Sequence, residues 1–338
     1  MLFIVKPSIR DRYIQDSIAK MTVPHNITED DLLAALKGDP SSLDVHLILA
    51  NRDIVINGYS TRVHCHCLTV DANGRVQVGQ LAEFMRRSAV DYAIPRARIE
   101  EAKARDTKFN STEAVSALVD QARALFTDLK QTGEGGELLL FLLAERFLKL
   151  PQILCKMDLK TDSRMHYHGA DGVYAGITPD HILKLYWGES KIYKNVGDAI
   201  RSCIASLAPF LTEDDDENAT RSRDLFLLSD KADLRNAEVS AAIRRYFDRD
   251  LPSSRRVEYC GIALVGFDAS FYTAQNGKLD GQLVSTAAIS ALNDWCKLIG
   301  SHLKSHNLNS FEIQFLCLPL PSADDFRDRF LKAMGISS

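Results

Sequence analysis

The sequence predicts an α/β fold in which a mixed sheet is flanked by helices. Three observations predict it: short apolar runs of β-like composition, apolar runs with helical spacing, and turn signals between the two. From residue 137 the order of these runs is helix, three strands, helix, which suits an antiparallel meander capped by helices. The strands that come later in the chain are expected to complete the same sheet.

The length of the chain favours two structural units. It has 338 residues, of which 46% are hydrophobic and 25% charged, as in a globular protein. A single hydrophobic core usually stops growing below about 250 to 300 residues. We therefore expect an N-terminal accessory α/β domain over residues 1–130 and a core domain over residues 131–338, with a helical insertion around residues 212–250.

The N-terminal region mixes strand and helix patterns. Apolar and polar residues alternate over residues 43–50 and 61–70, which is typical of half-buried strands. The turn signal at residues 71–75 and the short run at 76–78 predict a hairpin after them. Helical stretches are predicted next at residues 80–88, 95–103 and 111–130.

The core region shows longer and more apolar runs. Gly133 to Gly136 break the helical pattern, and residues 137–150 then form a nearly all-apolar helix that Pro151 ends. The acidic run at residues 213–217 is interpreted as a solvated loop, with an interaction or autoinhibitory element as the alternative. Strands are predicted at residues 153–159, 172–177, 181–191, 257–267 and 311–318, and helices at 197–211, 222–247, 285–303 and the carboxyl terminus.

Composition and charge indicate where the chain acts. No apolar run approaches the roughly 18 residues of a membrane span, and the N-terminus lacks the basic lead of a signal peptide. Seven cysteines at irregular spacing fit reduced thiols, so we expect a cytoplasmic protein with no membrane partner. The net charge of −4 does not favour DNA binding by the chain alone, and a partner subunit would then supply the basic channel.

The chemically informative residues lie between Gly169 and Lys194. Asp171 stands at the start of one predicted strand, and Glu189 and Lys191 stand at the end of the next. Residues two apart in a strand share a face, so Glu189 and Lys191 point the same way. Two carboxylates that converge in this manner can hold a divalent cation, which prefers oxygen ligands, while a lysine orients water or neutralises a phosphate.

These residues resemble the motif of the PD-(D/E)xK nuclease superfamily. Asp171 matches its acidic residue, and Glu189 and Lys191 match its Glu-x-Lys; Ala170 stands where the family usually has proline. The resemblance implies a restriction-endonuclease-like core and a Mg²⁺ cofactor, with Mn²⁺ as a substitute, held by Asp171 and Glu189. It also implies a supporting glutamate at the start of the preceding helix, for which Glu137 is the first candidate and Glu134 the second.

A narrower resemblance is carried by three segments, residues 136–139, 168–173 and 187–191. They are similar to the HamA family, the nuclease subunits of the Hachiman antiphage system, and to the related AbpA. The likeness implies a Mg²⁺-dependent DNA nuclease that acts with a superfamily 2 helicase, HamB. Three alternatives stay open: a regulatory subunit of the helicase complex without cleavage, an RNase, and a metal-independent interaction domain.

Several polar residues near the motif are candidates for substrate binding. His168 precedes Asp171, and Tyr193 and Lys194 follow the second strand. Lys160, together with Lys156, is placed near the mouth of the site, where it would contact backbone phosphates. The alternatives are a polar loop for the histidine and a solvated strand edge for the lysines.

The segment His64-Cys65-His66-Cys67 contains the usual zinc ligands. In a strand, however, the two histidines face one side and the two cysteines the other. No second pair follows at finger-like spacing, so the segment is interpreted as a half-buried strand.

Overall fold

The centre of the fold is a mixed β-sheet. The structure, a computed structural model, describes residues 26–126, 133–157, 169–214, 219–234, 236–273 and 278–336. The strands are β1 Leu47–Val55, β2 Thr61–Leu68, β3 Gly172–Ile177, β4 Leu183–Tyr193, β5 Val257–Asp268 and β6 Ile313–Leu320. Within the described residues they form one six-stranded sheet in the order β1-β2-β6-β5-β4-β3. The mixed α/β class predicted from the sequence is confirmed.

The inner strands β2, β6, β5 and β4 run parallel, and each edge strand is antiparallel to its neighbour. The predicted three-stranded meander is confirmed only for the hairpin β3–β4, because residues 153–157, where its first strand was expected, form no strand. Parallel strands covered on both faces are apolar throughout. This explains the buried run from Cys260 to Phe267 in β5.

The strand predicted at residues 153–159 is wrong for the part that the structure describes. Residues 153–157 form no strand, and Gln152 makes a single bridge to Tyr174. Ile153 and Leu154 are nevertheless buried. Their apolar character reflects packing in the core and not pairing in the sheet, a distinction that composition alone does not make.

Helices cover both faces of the sheet. They are α1 Glu29–Ala34, α2 Ser41–Asp44, α3 Val78–Ala93, α4 Arg96–Phe109, α5 Glu113–Ala124, α6 Glu134–Leu143, α7 Val196–Thr212, α8 Ser222–Lys231, α9 Ala237–Arg244, α10 Gly281–Ser305 and α11 Ala323–Met334. A π-helical turn, Ala144–Leu148, continues α6, and 3-10 turns lie at Pro252–Arg255 and Ser270–Tyr272. In the described ranges no helix is long and apolar enough to cross a membrane.

The two helical layers pack against opposite faces of strand β4. On one face α7 packs against β4 and β5 and α10 against β1 and β2, with Trp187 stacked on Phe210. On the other face α6 approaches β4 closely: a side chain at Gly188 would lie 2.9 Å from Leu140. Helices α3 and α11 pack together beside α6. The end of β4 therefore lies between two covered faces.

The N-terminal strands belong to the same sheet as the core strands. β2 pairs in parallel with β6, from Thr61 opposite Ile313 to Cys65 opposite Cys317. Without β2, the backbone groups on this side of β6 would be an open edge. The predicted division at residue 130 therefore does not coincide with a division of the sheet.

Other predicted elements differ in detail from the structure. The hairpin predicted around residues 71–75 is reduced to one antiparallel bridge between Val70 and Val76, because α3 already begins at Val78. The single helix predicted at 222–247 is divided into α8 and α9. Asn236 causes this second start, because its side chain accepts a hydrogen bond from the N–H of Val239 and caps α9.

Candidate functional site at the end of strand β4

Asp171 is held where strands β3 and β4 stop pairing. It lies directly before β3, and its backbone N–H donates to the carbonyl of Gly188 at 2.8 Å. Its carboxylate oxygen Oδ2 accepts from the backbone N–H of Ser190 at 2.8 Å and from the Ser190 hydroxyl at 2.7 Å. The side chain takes the place of a backbone acceptor at the end of the ladder, which fixes the carboxylate against β4.

Glu189 and Lys191 lie two residues apart on β4 and point to the face that α7 covers. The Cys203 thiol of α7 donates to the Glu189 carbonyl at 3.4 Å. Glu189 is only 4% exposed, and Lys191 Nζ donates to its Oε2 at 3.0 Å. Because β3 and β4 pair in register up to this point, Asp171 lies at the same end of the hairpin.

Burial and charge act together on this group. Burial raises the pKa of Glu189 to about 8, the charge of Asp171 adds to the rise, and Lys191 opposes it only in part. Burial alone would lower the pKa of Lys191. The negative charges of Glu189 and Asp171 have the larger combined effect, so the pKa of the lysine is raised. Lys191 thus compensates the ionised form of Glu189 only in part, and an added cation would stabilise that form.

Glu137 approaches the same strand end from the opposite face. It lies in the first turn of α6, where Tyr92 of α3 donates its hydroxyl proton to Glu137 Oε2 at 3.0 Å. The neighbouring Gly136 allows close packing, because a Cβ there would lie 3.0 Å from Ser190 Oγ. Glu134, the second candidate, is buried.

A cavity of about 600 Å³ lies at this end of β4. Its described lining includes Glu137, Asp171 and Lys191, with α11 as the opposite wall. Glu189 is not among the described lining residues; it is buried and pairs with Lys191, which does line the cavity. Three of the four predicted catalytic residues thus share a cavity, and the fourth is joined to them through Lys191 and by its electrostatic interaction with Asp171.

The structure places the predicted substrate-binding residues in different surroundings. Tyr193 lines the cavity, is 37% exposed, and has its hydroxyl 3.2 Å from Ser202 Oγ. Lys194 is exposed, and its Nζ lies 2.7 Å from Asp324 Oδ2 on α11, a hydrogen bond that raises the pKa of the lysine. His168 and Lys160 lie outside the described residues.

The expectation that Lys156 contacts phosphates at the surface is wrong. Lys156 is 8% exposed, and its Nζ donates to Asp224 Oδ2 at 2.6 Å and to the Ala170 carbonyl at 2.7 Å. Sequence reasoning missed Asp224, because an aspartate in the first turn of a helix is ordinarily explained by the helix dipole. It also missed Tyr92, which is hidden in the apolar pattern of α3.

The strand with two histidines and two cysteines is buried on both faces, not half-buried. Its histidines contact Phe147 edge-on, and His64 Nε2 lies 2.8 Å from Gln314 Oε1. Its cysteines are fully buried on the opposite face. Two covered faces follow from the inner position of β2, which the strand pattern alone does not reveal.

The residues present suit one kind of cation. In the described part of the chain no group of three or more His, Cys, Asp or Glu side chains is arranged to hold a metal ion. Asp171 and Glu189 are two carboxylates, and Mg²⁺ is commonly bound through one or two carboxylates while it keeps several waters. The incomplete neutralisation of Glu189 also fits a cation at this place.

Fold and site together define a mixed α/β protein with two carboxylates and a lysine at the end of a central strand. The HamA family model matches residues 44–334. The chain therefore belongs to the HamA family, and hence to the Hachiman antiphage defence system. A search of curated proteins found no match to this chain.

Proposed function

We propose that this chain is the Mg²⁺-dependent deoxyribonuclease of its defence complex, with a core of PD-(D/E)xK type. The observation that carries the proposal is the arrangement of Asp171, Glu189 and Lys191 at one end of the β3–β4 hairpin. A glutamate whose pKa is raised by burial and further by a second carboxylate is costly for a purely structural role. The cost is understandable where the two carboxylates share a cation.

Each residue has a role that follows from its position. Asp171, held by Ser190, and Glu189 would bind Mg²⁺, or Mn²⁺ in its place. The ion would supply positive charge to a phosphate and lower the pKa of an attacking water. Lys191, on the cavity wall, orients that water and neutralises charge on the phosphate. Glu137 supports the water from the α6 side, where Tyr92 fixes its carboxylate.

The surroundings indicate how DNA would be brought to the site. Tyr193, which lines the cavity, would contact the DNA strand. Lys194 adds a positive charge next to Tyr193. His168 and Lys160 are assigned to the same task from the sequence alone. With a net charge of −4 the chain has little general attraction for DNA. A superfamily 2 helicase of the HamB type therefore serves as the partner that delivers the strand.

One observation favours a second candidate, a regulatory subunit without cleavage. Lys191 is already paired with Glu189, and Glu189 lies behind the cavity wall. Catalysis by this site requires the Glu189 side chain to turn toward Asp171 when the cation binds. A chain that only regulates its partner needs no such movement.

The test compares two lysines of the same strand. The full chain is assayed with its helicase partner on plasmid DNA and on RNA, with and without Mg²⁺, after Lys191→Ala or Lys184→Ala. Lys184 pairs with Glu312 at the other end of β4 and serves as the matched control. Loss of one preorganised charge is expected to lower DNA cleavage by about 10²- to 10³-fold for Lys191→Ala only.

The double variant Lys191→Ala/Glu189→Ala should lose less than the sum of the single losses, because the groups act as a unit. Thermal melting and a pull-down of the partner show whether each variant is folded and assembled. If Lys191→Ala cuts DNA and protects cells from phage as well as Lys184→Ala does, the nuclease proposal is wrong and the regulatory candidate replaces it. Cleavage of RNA alone would reassign the substrate.

A further inference from the structure

A buried ion pair lies next to the segment that carries Asp171. Lys156 Nζ donates to Asp224 Oδ2 at 2.6 Å and to the carbonyl of Ala170 at 2.7 Å. The backbone N–H of Ala170 points to the same Asp224 oxygen at 3.4 Å. The residue directly before Asp171 is therefore held through both of its backbone polar groups.

The chain at Gly169 passes too close to this pair for any other residue. Its φ of +147° is a conformation that side chains rarely adopt, and a Cβ there would lie 2.7 Å from Lys156 Nζ and 2.9 Å from both oxygens of Asp224. A glycine at this point lets the backbone approach the ion pair. The segment before Asp171 is thus shaped around Lys156 and Asp224.

Asp224 reaches this place from α8, a helix of the segment that the sequence predicts as an insertion. It is fully buried, and its second oxygen, Oδ1, has no hydrogen-bond partner among the described residues. A buried carboxylate with an unused oxygen is a poor stabilising contact, because a pair of apolar side chains of similar volume is often at least as stable. A contribution to the stability of the fold is therefore a poor explanation for the presence of a buried ion pair here.

The charge of Asp224 also matters for the cation. The positive charge of Lys156 has a small effect on Glu189 and lowers the pKa of that carboxyl. Asp224 neutralises Lys156 and so reduces the repulsion that the lysine would exert on a divalent ion beside Glu189. The pair thus contributes both geometry and charge balance.

We propose, on the basis of the proposed nuclease function, that Lys156 and Asp224 are positioning residues that hold Asp171 in place for the cation. Helix α8, which carries Asp224, then helps to fix the position of the site. Any partner contact that moves α8 would act on Asp171 through Ala170.

The test replaces the pair by apolar side chains of similar size, Lys156→Met/Asp224→Leu. Folding should be kept, with a melting temperature close to that of the wild type. Mn²⁺ binding, measured by calorimetry on the assembled complex, should weaken by about 10- to 100-fold, the usual effect of losing a partner of a metal ligand. The kcat for DNA should fall with it, and KM should stay unchanged because neither residue touches DNA.

Two controls separate this inference from the proposed function. Lys184→Met removes the lysine of the ion pair at the other end of β4 and should leave Mn²⁺ binding unchanged. Asp171→Ala tests the site itself: if it binds Mn²⁺ and cleaves DNA like the wild type, both proposals are wrong. If Asp171→Ala is impaired while the folded double variant behaves like the wild type, only the positioning role is wrong.

If the double variant does not fold, Asp224→Asn decides the question. This change keeps the volume of the side chain and removes the negative charge of Asp224 from beside Lys156. Mn²⁺ binding about tenfold weaker in a folded Asp224→Asn protein would support the proposal, and unchanged binding would overturn it.

Discussion

The two ends of strand β4 carry similar ion pairs with opposite electrostatics. At the beginning, Lys184 Nζ lies 2.5 Å from Glu312 Oε2, and Tyr186 donates to Glu312 Oε1 at 2.6 Å. Burial alone would raise the pKa of Glu312, but these hydrogen bonds outweigh it and lower the pKa. At the end, Lys191 lies 3.0 Å from Glu189, and yet the pKa of Glu189 is raised.

The difference arises from burial and from one further residue. The Glu189 side chain is 6% exposed against 25% for Glu312, so it loses more hydration. The negative charge of Asp171, a second carboxylate, also acts on it, whereas both oxygens of Glu312 accept hydrogen bonds. A lysine–glutamate pair therefore does not reveal its role by itself. The residues around it decide whether the pair is satisfied internally or is suited to an added cation.

The largest difference between the two ends is expected for metal binding. Asp171→Ala removes one of the two proposed carboxylate ligands and should weaken Mn²⁺ binding on the order of 100-fold or more. Glu312→Ala, at the other end of the strand, should leave it unchanged. Calorimetry on the folded proteins measures both. Equal affinities in the two variants would remove Asp171 from the metal site and end the comparison.

The pH dependence of stability should have opposite signs at the two ends when no divalent ion is present. Because the pKa of Glu189 is raised from 4.5 to about 8, its contribution is complete below pH 4.5 and is lost as the pH rises through about 8. The pKa of Glu312 is lowered, so its contribution is present above pH 4.5 and is lost as the pH falls through the lowered value.

Thermal melting across this pH range, with Glu189→Gln and Glu312→Gln, measures the two contributions. Glu189→Gln should remove a loss of stability between about pH 5 and 8. Glu312→Gln should remove a loss on the acidic side. The same sign of change in both variants would show that the two pairs do not differ in the way described.

The smallest expected effects concern the tyrosines that hold the two glutamates. Tyr92→Phe and Tyr186→Phe each remove one hydrogen bond to a carboxylate and should each lower the free energy of unfolding by about 1 to 2 kcal/mol. Only Tyr92→Phe should also lower DNA cleavage, by about tenfold, because Glu137 keeps its place on α6 but loses the hydrogen bond from Tyr92. Equal cleavage by both variants would leave Glu137 without the supporting role.

Local sequence patterns predicted most of the elements but not their pairing. The apolar runs of β4, β5 and β6 and the helical periodicity of α7 and α10 stand out because each is long and consistent. The parallel pairing of β2 with β6 joins residues about 250 positions apart, and no periodicity specifies such a partner. For the same reason the pattern predicts a strand at the apolar residues 153–154, which are buried outside the sheet.

The sequence by itself determined which polar residues lie together at the end of the β3–β4 hairpin. The spacing of two in Glu189-Ser190-Lys191 places both side chains on one face of a strand, and Asp171 begins the strand that pairs with it. Only the tertiary structure decided that Lys156 is buried against Asp224 and that Tyr92 binds Glu137. Periodicity encodes which face of an element is covered, whereas the partner of a buried polar group is set by the packing of elements far apart in the chain.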